Sequence, residues 1–409
     1  MNKIFSLLIV VAFAVSCKSP KLVLGKPTLK NPKDVATEVV KNSNTAEFSQ
    51  ISATGSYEMA GDKQSFKADA ERYTDEALAA MEGTETSNVS ASGMGAITAV
   101  LMQLCAAGDH IVSSRTIYGG TYAFLKNFTP KLNIETSFVD ITSLKSVEAA
   151  ITSQTKVLYC ESVSNPLLEV ADIEALSVIA KKHNLQLVVD NTFSPLSISP
   201  KQLGADIIIH SLTKFINGAS DTIGGVVCGT QELVDNLRNV NDGAAMLFGA
   251  TMDSLRAASI LKNLRTLHIR MKQHSANAMY LAKQFESLGV KTVYPGLDTH
   301  PSHNVFKRQM NTEFGYGGML TIDVGTLEKA NALMELMQGK NLGYLAVSLG
   351  FYKTLFSAPG SSTSSEIPED EQKEMGLSPG LIRFSVGLDN DIKRTFKSMS
   401  ACMKSVGVL

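Results

Sequence analysis

Apolar residues in the middle of the chain come in short, unbroken runs that are separated by stretches of helical periodicity. The runs predict strands at 110–113, 134–139, 157–162, 185–189, 207–209 and 226–228. The intervening stretches predict helices at 75–82, 96–105, 144–151 and 173–183. Strands that are apolar throughout, rather than alternating, are typical of a sheet buried on both faces. The pattern therefore predicts an α/β fold with a mostly parallel sheet between two layers of helices.

The pattern changes towards both ends of the chain. After residue 263 a long helix is predicted over 268–288, followed by a strand at 318–323, which indicates a smaller C-terminal α/β domain. Residues 18–70 are rich in Lys, Pro, Asn, Ser and Thr and show no clear period, as expected of an arm or linker. We therefore divide the chain into a leader (1–17), an N-terminal arm (18–74), a large domain (75–262) and a small domain (263–409).

The first residues have the organisation of an export signal. Lys3 precedes an apolar run from Leu7 to Val15, and small residues then lead to Ser16-Cys17. This arrangement resembles a bacterial lipoprotein signal, in which Cys17 would be lipidated and would tether the mature protein to the cell envelope. A chance apolar start and a short membrane helix are the alternatives, although the run is too short to span a bilayer comfortably.

Composition excludes several other classes of protein. The 409 residues include 44% hydrophobic and 19% charged residues, which is ordinary for a soluble globular chain. The formal net charge is −1, so no nucleic-acid partner is expected. The five cysteines and seven histidines show no metal-ligand spacing, so no metal site is predicted.

Reactive side chains stand where predicted strands end. Lys214, Asp190 and Asn165 each come at or soon after the end of an apolar run. In open α/β sheets, ligands bind beyond the carboxyl ends of the strands, so these side chains are candidates for one site. The alternatives are an exposed lysine and two turn residues, since Asp and Asn favour turns.

A candidate phosphate site accompanies them. Ser92-Gly93-Met94 precedes a predicted helix, and free N–H groups at a helix N-terminus bind anions. The hydroxyls of Ser211 and Thr213 would add donors. A lysine, a carboxylate and a phosphate site are what pyridoxal phosphate requires of a protein, and Tyr118 supplies a ring that can stack on the pyridine.

Several segments, taken together, carry a family resemblance. The chain resembles the Cys/Met-metabolism pyridoxal-phosphate enzymes in SASGMGAI (90–97), TIYGGTYAFL (116–125), LYCESVSNP (158–166), VVDNTFSP (188–195), IIHSLTKFINGASD (208–221) and LIRFSVGLDN (381–390). This group includes methionine gamma-lyase, cystathionine gamma-lyase and cystathionine gamma-synthase. The resemblance implies fold-type I, a cytoplasmic location if the leader is not used, and a homo-oligomer (dimer or tetramer).

The resemblance also implies a role for each motif residue. Lys214 would form the Schiff base, Asp190 would pair with the pyridine nitrogen, Tyr118 would stack on the ring and protonate the leaving sulfur, and Asn165 would lie near the cofactor's phenolic oxygen. The phosphate would be held by Gly93, Met94, Ser211 and Thr213. Arg383 would bind the carboxylate of a small sulfur amino acid, and Ser348 would line the substrate pocket. Taken alone, Arg383 would rather be interpreted as a surface or interface pair.

The chain departs from the family pattern at three places. The family's Tyr-x-Arg phosphate clamp and Asn-Pro-Thr motif are not recognisable in 61–83. Loss of one charged hydrogen bond to phosphate costs roughly 1.5–3 kcal/mol, or about ten- to a hundredfold in affinity. Lys353 stands where an acidic residue is common, and Gly120 where some methionine gamma-lyases have cysteine, so neither position indicates the substrate.

Two functional hypotheses follow. The first is a pyridoxal-phosphate-dependent carbon–sulfur lyase that acts on methionine, cystathionine or a related amino acid. A gamma-synthase or O-acetylhomoserine sulfhydrylase is the nearest alternative within the same chemistry. The second hypothesis is an envelope-anchored protein that keeps the fold without turnover, as suggested by the missing clamp and the leader.

Overall fold

A computed structural model describes residues 63–362 and 367–409, which form two sheets with their covering helices. The elements up to the last strand of the first sheet are α1 (Lys63–Glu82), β1 (Thr86–Ser90), α2 (Gly93–Leu104), β2 (His110–Ser114), α3 (Gly119–Ala123), β3 (Glu135–Val139), α4 (Leu144–Ala150), β4 (Thr155–Glu161), α5 (Ile173–Lys182), β5 (Gln186–Asp190), β6 (Ile207–Ser211) and β7 (Gly225–Gly229). A π-turn (Phe124–Phe128) and a 3₁₀ turn (Thr129–Leu132) follow α3.

The first sheet has seven strands in the order β1-β7-β6-β5-β4-β2-β3. The five strands from β6 to β3 are parallel, and β7 is antiparallel to both of its neighbours. This mixed, mostly parallel sheet confirms the predicted fold class. The parallel strands place their carboxyl ends at one edge, where β4, β5 and β6 end in Glu161, Asp190 and Ser211.

The central strands of this sheet are buried on both faces, which explains their unbroken apolar runs. In β4, Leu158 and Cys160 belong to the apolar cluster on one face, whereas Val157 and Tyr159 belong to the cluster on the other. Helices cover each face, with α2 on the Tyr159 side and α5 on the Leu158 side. Because successive side chains point to opposite buried faces, the middle of this strand, residues 157–160, has no charged position.

The rest of the chain forms further helices and the second sheet. Its elements are α6 (Gln231–Arg238), α7 (Ala244–Leu247), α8 (Ser254–Leu264), α9 (Leu267–Ser287), β8 (Lys291–Val293), α10 (His303–Gln309), β9 (Met319–Asp323), α11 (Leu327–Gly339), β10 (Tyr344–Leu345), β11 (Leu355–Ser357), a 3₁₀ turn (Pro359–Ser361), α12 (Glu369–Glu374), β12 (Leu381–Ser385) and α13 (Ile392–Ser405). The second sheet runs β10-β11-β12-β9-β8 and is antiparallel apart from the β10–β11 pair. Helices α9, α11 and α13 pack with it in a separate apolar cluster.

The structure extends the prediction at the N-terminal side. Helix α1 begins at Lys63, well before the predicted helix 75–82, and β1 was not predicted. The predicted leader and Cys17 lie outside the described residues, as does most of the predicted arm. Within the part of the chain that is described, no helix has both the length and the apolar character needed to cross a membrane.

Candidate active site

A cavity lies at the edge of the large sheet where β4, β5 and β6 end. The predicted residues that line it come from six separate segments of the chain. The residues predicted from the sequence that line it are Gly93, Met94, Tyr118, Asn165, Asp190, Ser211, Thr213, Lys214 and Arg383. Ser348 lies between two further lining residues, Val347 and Leu349. The predicted site residues are therefore assembled in one place.

Lys214 lies in the turn that follows β6. Its backbone N–H donates to the Ser211 carbonyl at 3.2 Å, and its Nζ donates to Ser348 Oγ at 3.2 Å. Burial, and secondarily the nearby Arg383 guanidinium, lower the pKa of Lys214 from 10.5 to about 8. A substantial fraction of this amine is therefore neutral near physiological pH, which is the form that attacks a carbonyl.

Asp190 ends strand β5 and is buried. Its Oδ1 accepts the N–H of Thr192 at 2.9 Å. Burial raises the pKa of this carboxyl, and the hydrogen bonds from Thr192 oppose that shift. A cationic group on a ligand would stabilise this buried carboxylate, because it would offset the free-energy cost of burying the negative charge.

A second buried carboxylate, Glu161, was missed in the sequence analysis. It ends β4, lines the cavity and is paired in register with Asp190. Burial and the neighbouring Asp190 charge raise the pKa of Glu161, whereas hydrogen bonds from the backbone N–H groups of Tyr118 and Asn165, together with the Arg383 charge, lower it. The signal was present, since Glu161 follows an apolar strand just as Asp190 does.

The turn before α2 forms the expected cradle. Ser92 caps the helix by accepting the N–H of Gly95 at 3.0 Å, and the first turn of a helix leaves other N–H groups without intrahelical partners. A Cβ on Gly93 would lie 2.9 Å from Ser211 Cβ, so a side chain there would fill the space between the turn and β6. Ser211 faces this space, whereas the Thr213 hydroxyl donates to the Gly224 carbonyl at 3.3 Å and accepts its N–H at 3.1 Å.

Tyr118 stands at the cavity wall, immediately before α3, and 42% of it is exposed. The ring lies over Gly120, where a Cβ would come within 2.6 Å of Tyr118 Cε1. Glycine at this position therefore leaves room for the ring. A half-exposed aromatic face at the wall of the cavity can stack on a planar ligand.

Arg383 joins the two sheets at the cavity. It belongs to β12 of the second sheet and is 2% exposed. Its Nη1 donates to Asn165 Oδ1 at 2.8 Å, and its Nη2 donates to the Ser348 carbonyl at 3.2 Å. Burial lowers the pKa of Arg383 to about 10, and the Glu161 charge opposes the shift. A buried guanidinium at the wall of a cavity is suited to binding a ligand carboxylate.

Lys353 does not line this cavity. It lines a different one, with Tyr344, Tyr352 and Asp389. Its Nζ donates to Tyr344 Oη at 2.8 Å and is held above that ring. The replacement of an acidic residue by lysine at this position therefore changes a neighbouring surface rather than the wall around Lys214.

These residues fit pyridoxal phosphate. The cofactor needs an amine for its aldehyde, a carboxylate for its pyridine nitrogen and donors for its phosphate. Lys214 and Asp190 supply the first two. The glycine-lined turn at Gly93, with the Ser211 hydroxyl beside it, supplies the third.

Comparison with known proteins agrees with this geometry. The sequence model of the Cys/Met metabolism PLP-dependent enzymes matches residues 26–398. The chain belongs to this family. The match confirms the resemblance inferred from the motifs, and with it the cofactor, pyridoxal phosphate, and the status of the chain as an enzyme.

The individual proteins that this chain is similar to include methionine gamma-lyases and a cystathionine gamma-lyase. The chain is 48% identical over 313 residues to a methionine gamma-lyase of Arabidopsis thaliana, covering 76% of this chain and 71% of that one. It is 38% identical over 318 residues to an L-methionine gamma-lyase of Fusobacterium nucleatum subsp. polymorphum, covering 76% and 78%. The crystal structure of a cystathionine gamma-lyase from Lactobacillus plantarum, complexed with L-serine, superposes with a TM-score of 0.75 at 30% identity, covering 82% and 87%.

Proposed function

We propose that this enzyme is a pyridoxal-phosphate-dependent carbon–sulfur lyase that cleaves a sulfur amino acid such as methionine or cystathionine. The observation that supports it best is the assembly of the predicted residues from six segments around Lys214. The relatives, which are methionine and cystathionine lyases, support the same chemistry and bear out the lyase prediction. When bound, pyridoxal phosphate supplies an electron-withdrawing ring that stabilises negative charge at the substrate's Cα.

Each side chain of the cavity has its own role in the proposed reaction. Lys214 would hold the cofactor through its amine until the amino group of the substrate takes its place. The freed amine, with a pKa lowered to about 8, then moves the proton of the substrate's Cα. Asp190 keeps a proton on the pyridine nitrogen by pairing with it. Tyr118 delivers a proton to the departing sulfur, and Arg383 binds the substrate's carboxylate. Gly93, Met94 and Ser211 hold the phosphate, with Thr213 available once it exchanges its bonds to Gly224.

Cleavage of the bond between Cγ and sulfur is favoured over beta-cleavage. The two most similar relatives named above are methionine gamma-lyases, and methionine carries its sulfur on Cγ. Ile223, Val347 and Leu349 contribute apolar side chains to the lining of the cavity. A thioether side chain gains more from such a wall than a charged one does.

We further propose that the protein works as a homo-oligomer, a dimer or a tetramer, and is tethered to the cell envelope through lipidated Cys17. Exposed apolar residues support the first part, since Met246, Leu247 and Phe248 are each more than half exposed and form one segment. Such a patch is unusual on a monomer. The lipoprotein-like order of Lys3, the apolar run and Cys17 supports the second part.

The experiment is a product analysis on the purified full chain saturated with pyridoxal phosphate. Release of a thiol, ammonia and 2-oxobutanoate from methionine would establish gamma-elimination, whereas pyruvate from cystathionine would indicate beta-cleavage. Incorporation of sulfide or cysteine into O-acetylhomoserine, without lyase products, would favour the synthase alternative. No turnover with any of these substrates would contradict the proposal and favour a protein that keeps the fold alone.

A further inference from the structure

Glu161 has no role in the proposed chemistry, yet its carboxylate is buried in the wall of the cavity. It is 6% exposed and ends β4 directly beside Asp190, its register partner on β5. Burial of two neighbouring carboxylates is unfavourable unless each is held by compensating donors. The position of Glu161 therefore calls for a specific function.

Each oxygen of Glu161 accepts one backbone N–H. Oε1 accepts from Tyr118 at 2.7 Å, and Oε2 accepts from Asn165 at 2.8 Å. Two short bonds, one to each oxygen, favour the ionised carboxylate, because a protonated carboxyl group would lose an acceptor site to its own proton. Hydrogen bonds to an ionised group are stronger than neutral ones. A single side chain thus fixes two segments, one before α3 and one after β4, that are separated by more than forty residues.

The two fixed segments carry groups proposed to touch the cofactor. Tyr118 holds the stacking ring, and Asn165 is also held at its side chain by Arg383. We propose that Glu161 is a positioning residue that sets the placement of Tyr118 and Asn165 by holding their backbones. This inference rests on the proposed function for the consequence to catalysis, but the positioning itself is a property of the free protein.

The groups around Glu161 determine how firmly it holds these bonds. Asp190 faces it from β5 and Arg383 from β12, while Tyr159 and Cys160 precede it on its own strand. Asp190 repels the Glu161 charge, and Arg383 attracts it. A cation held by Asp190 would reduce the repulsion, so we expect cofactor binding to strengthen the bonds from Glu161 to Tyr118 and Asn165.

Amide hydrogen exchange, resolved to single residues by mass spectrometry, tests this directly. In the wild-type protein without cofactor, the N–H groups of Tyr118 and Asn165 should be protected, and cofactor should increase their protection. In Glu161→Gln, which retains the volume but offers one oxygen in place of two, exchange at one or both should accelerate about ten- to a hundredfold, as expected for loss of one charged hydrogen bond.

Asp75→Asn is the matched control. Asp75 is also a buried carboxylate that accepts a backbone N–H, that of Val89 at 2.7 Å, and it does not line the cavity. Its variant should accelerate exchange at Val89 and leave Tyr118 and Asn165 unchanged. In kinetics, Glu161→Gln should lower kcat at least about tenfold with a smaller effect on KM, and Asp75→Asn should change neither.

The outcomes separate this inference from the proposed function. Unprotected Tyr118 and Asn165 amides in the wild-type protein would overturn the inference whether or not any variant folds. Unchanged exchange at both amides in folded Glu161→Gln would overturn it as well. An inactive wild-type protein with protected amides would contradict the lyase proposal and leave the positioning role supported.

Discussion

Replacement of Arg383 by lysine should weaken substrate binding while sparing the fold. The guanidinium is buried and donates two hydrogen bonds in different directions, to Asn165 Oδ1 and to the Ser348 carbonyl. Lysine keeps the charge but lacks the planar fork, so it cannot donate in both directions and also bind a carboxylate.

The sizes of the expected changes in KM and in stability follow from the hydrogen bonds that Arg383→Lys would lose. One charged hydrogen bond to the substrate contributes roughly 1.5–3 kcal/mol, so KM should rise about ten- to a hundredfold. Loss of one of the two internal bonds should likewise cost roughly 1.5–3 kcal/mol of stability, which is less than the roughly 5–15 kcal/mol by which folded proteins are stable. Thiol release from methionine and cystathionine, followed over a range of concentrations, gives KM and kcat separately.

Arg308→Lys provides the matched control. Arg308 is half exposed and pairs with Asp172 and Glu174 on the surface. Exposed pairs contribute little, so KM should not change in this variant. An unchanged KM in folded Arg383→Lys would refute the assignment of Arg383 to the substrate carboxylate. A loss of kcat alone would indicate that Arg383 acts on the placement of Asn165.

Three further predictions concern the cofactor and the leader. The pKa of Lys214 is about 8 when folded and 10.5 when unfolded, so the unfolded chain binds more protons between these values. The free energy of unfolding of the cofactor-free protein should therefore increase with pH from about 8 to 10.5, and the rate of cofactor uptake should rise through about pH 8 and then level. Melting curves test the first expectation and absorbance tests the second. No change with pH in either measurement would contradict the lowered pKa. Prolonged dialysis should remove the cofactor readily, because Gly93, Met94, Ser211 and Thr213 are neutral phosphate donors. Added cofactor should raise the melting temperature. Retention of the cofactor through dialysis would mean that a cation of the N-terminal arm replaces the Tyr-x-Arg clamp. A fatty-acid probe should label the wild-type protein and not Cys17→Ala, and equal labelling would rule out lipidation at that residue.

The first sheet could be predicted because its central strands are buried on both faces. The run 207–209 has no polar residue, and no helix period interrupts it. Strand β1 escaped prediction because Ser87, Asn88 and Ser90 are polar and still buried. Their partners are distant in sequence, with Ser87 bonded to Asp75 and Asn88 to Arg238, so nothing in the local pattern indicates a buried strand.

The predicted site residues were those that follow a predicted strand or belong to a family motif. Lys214 and Asp190 could be found in this way, because the carboxyl ends of parallel strands meet at one edge. Glu161 ends an apolar strand as Asp190 does, but its role was missed because its hydrogen bonds to the backbone of Tyr118 and Asn165 cannot be read from the sequence. The contact between Lys353 and Tyr344 could not be predicted either, because it depends on how the segment before β11 folds back onto β10.

Lys214 as the attachment point of pyridoxal phosphate is the central assignment in this site. The direct measurement is borohydride reduction of the cofactor-loaded full chain, followed by digestion and mass spectrometry. We predict a single peptide carrying the pyridoxyl group on Lys214, and no such peptide from Lys214→Ala. A pyridoxyl group on another lysine, or a wild-type protein that takes up none, would contradict the account.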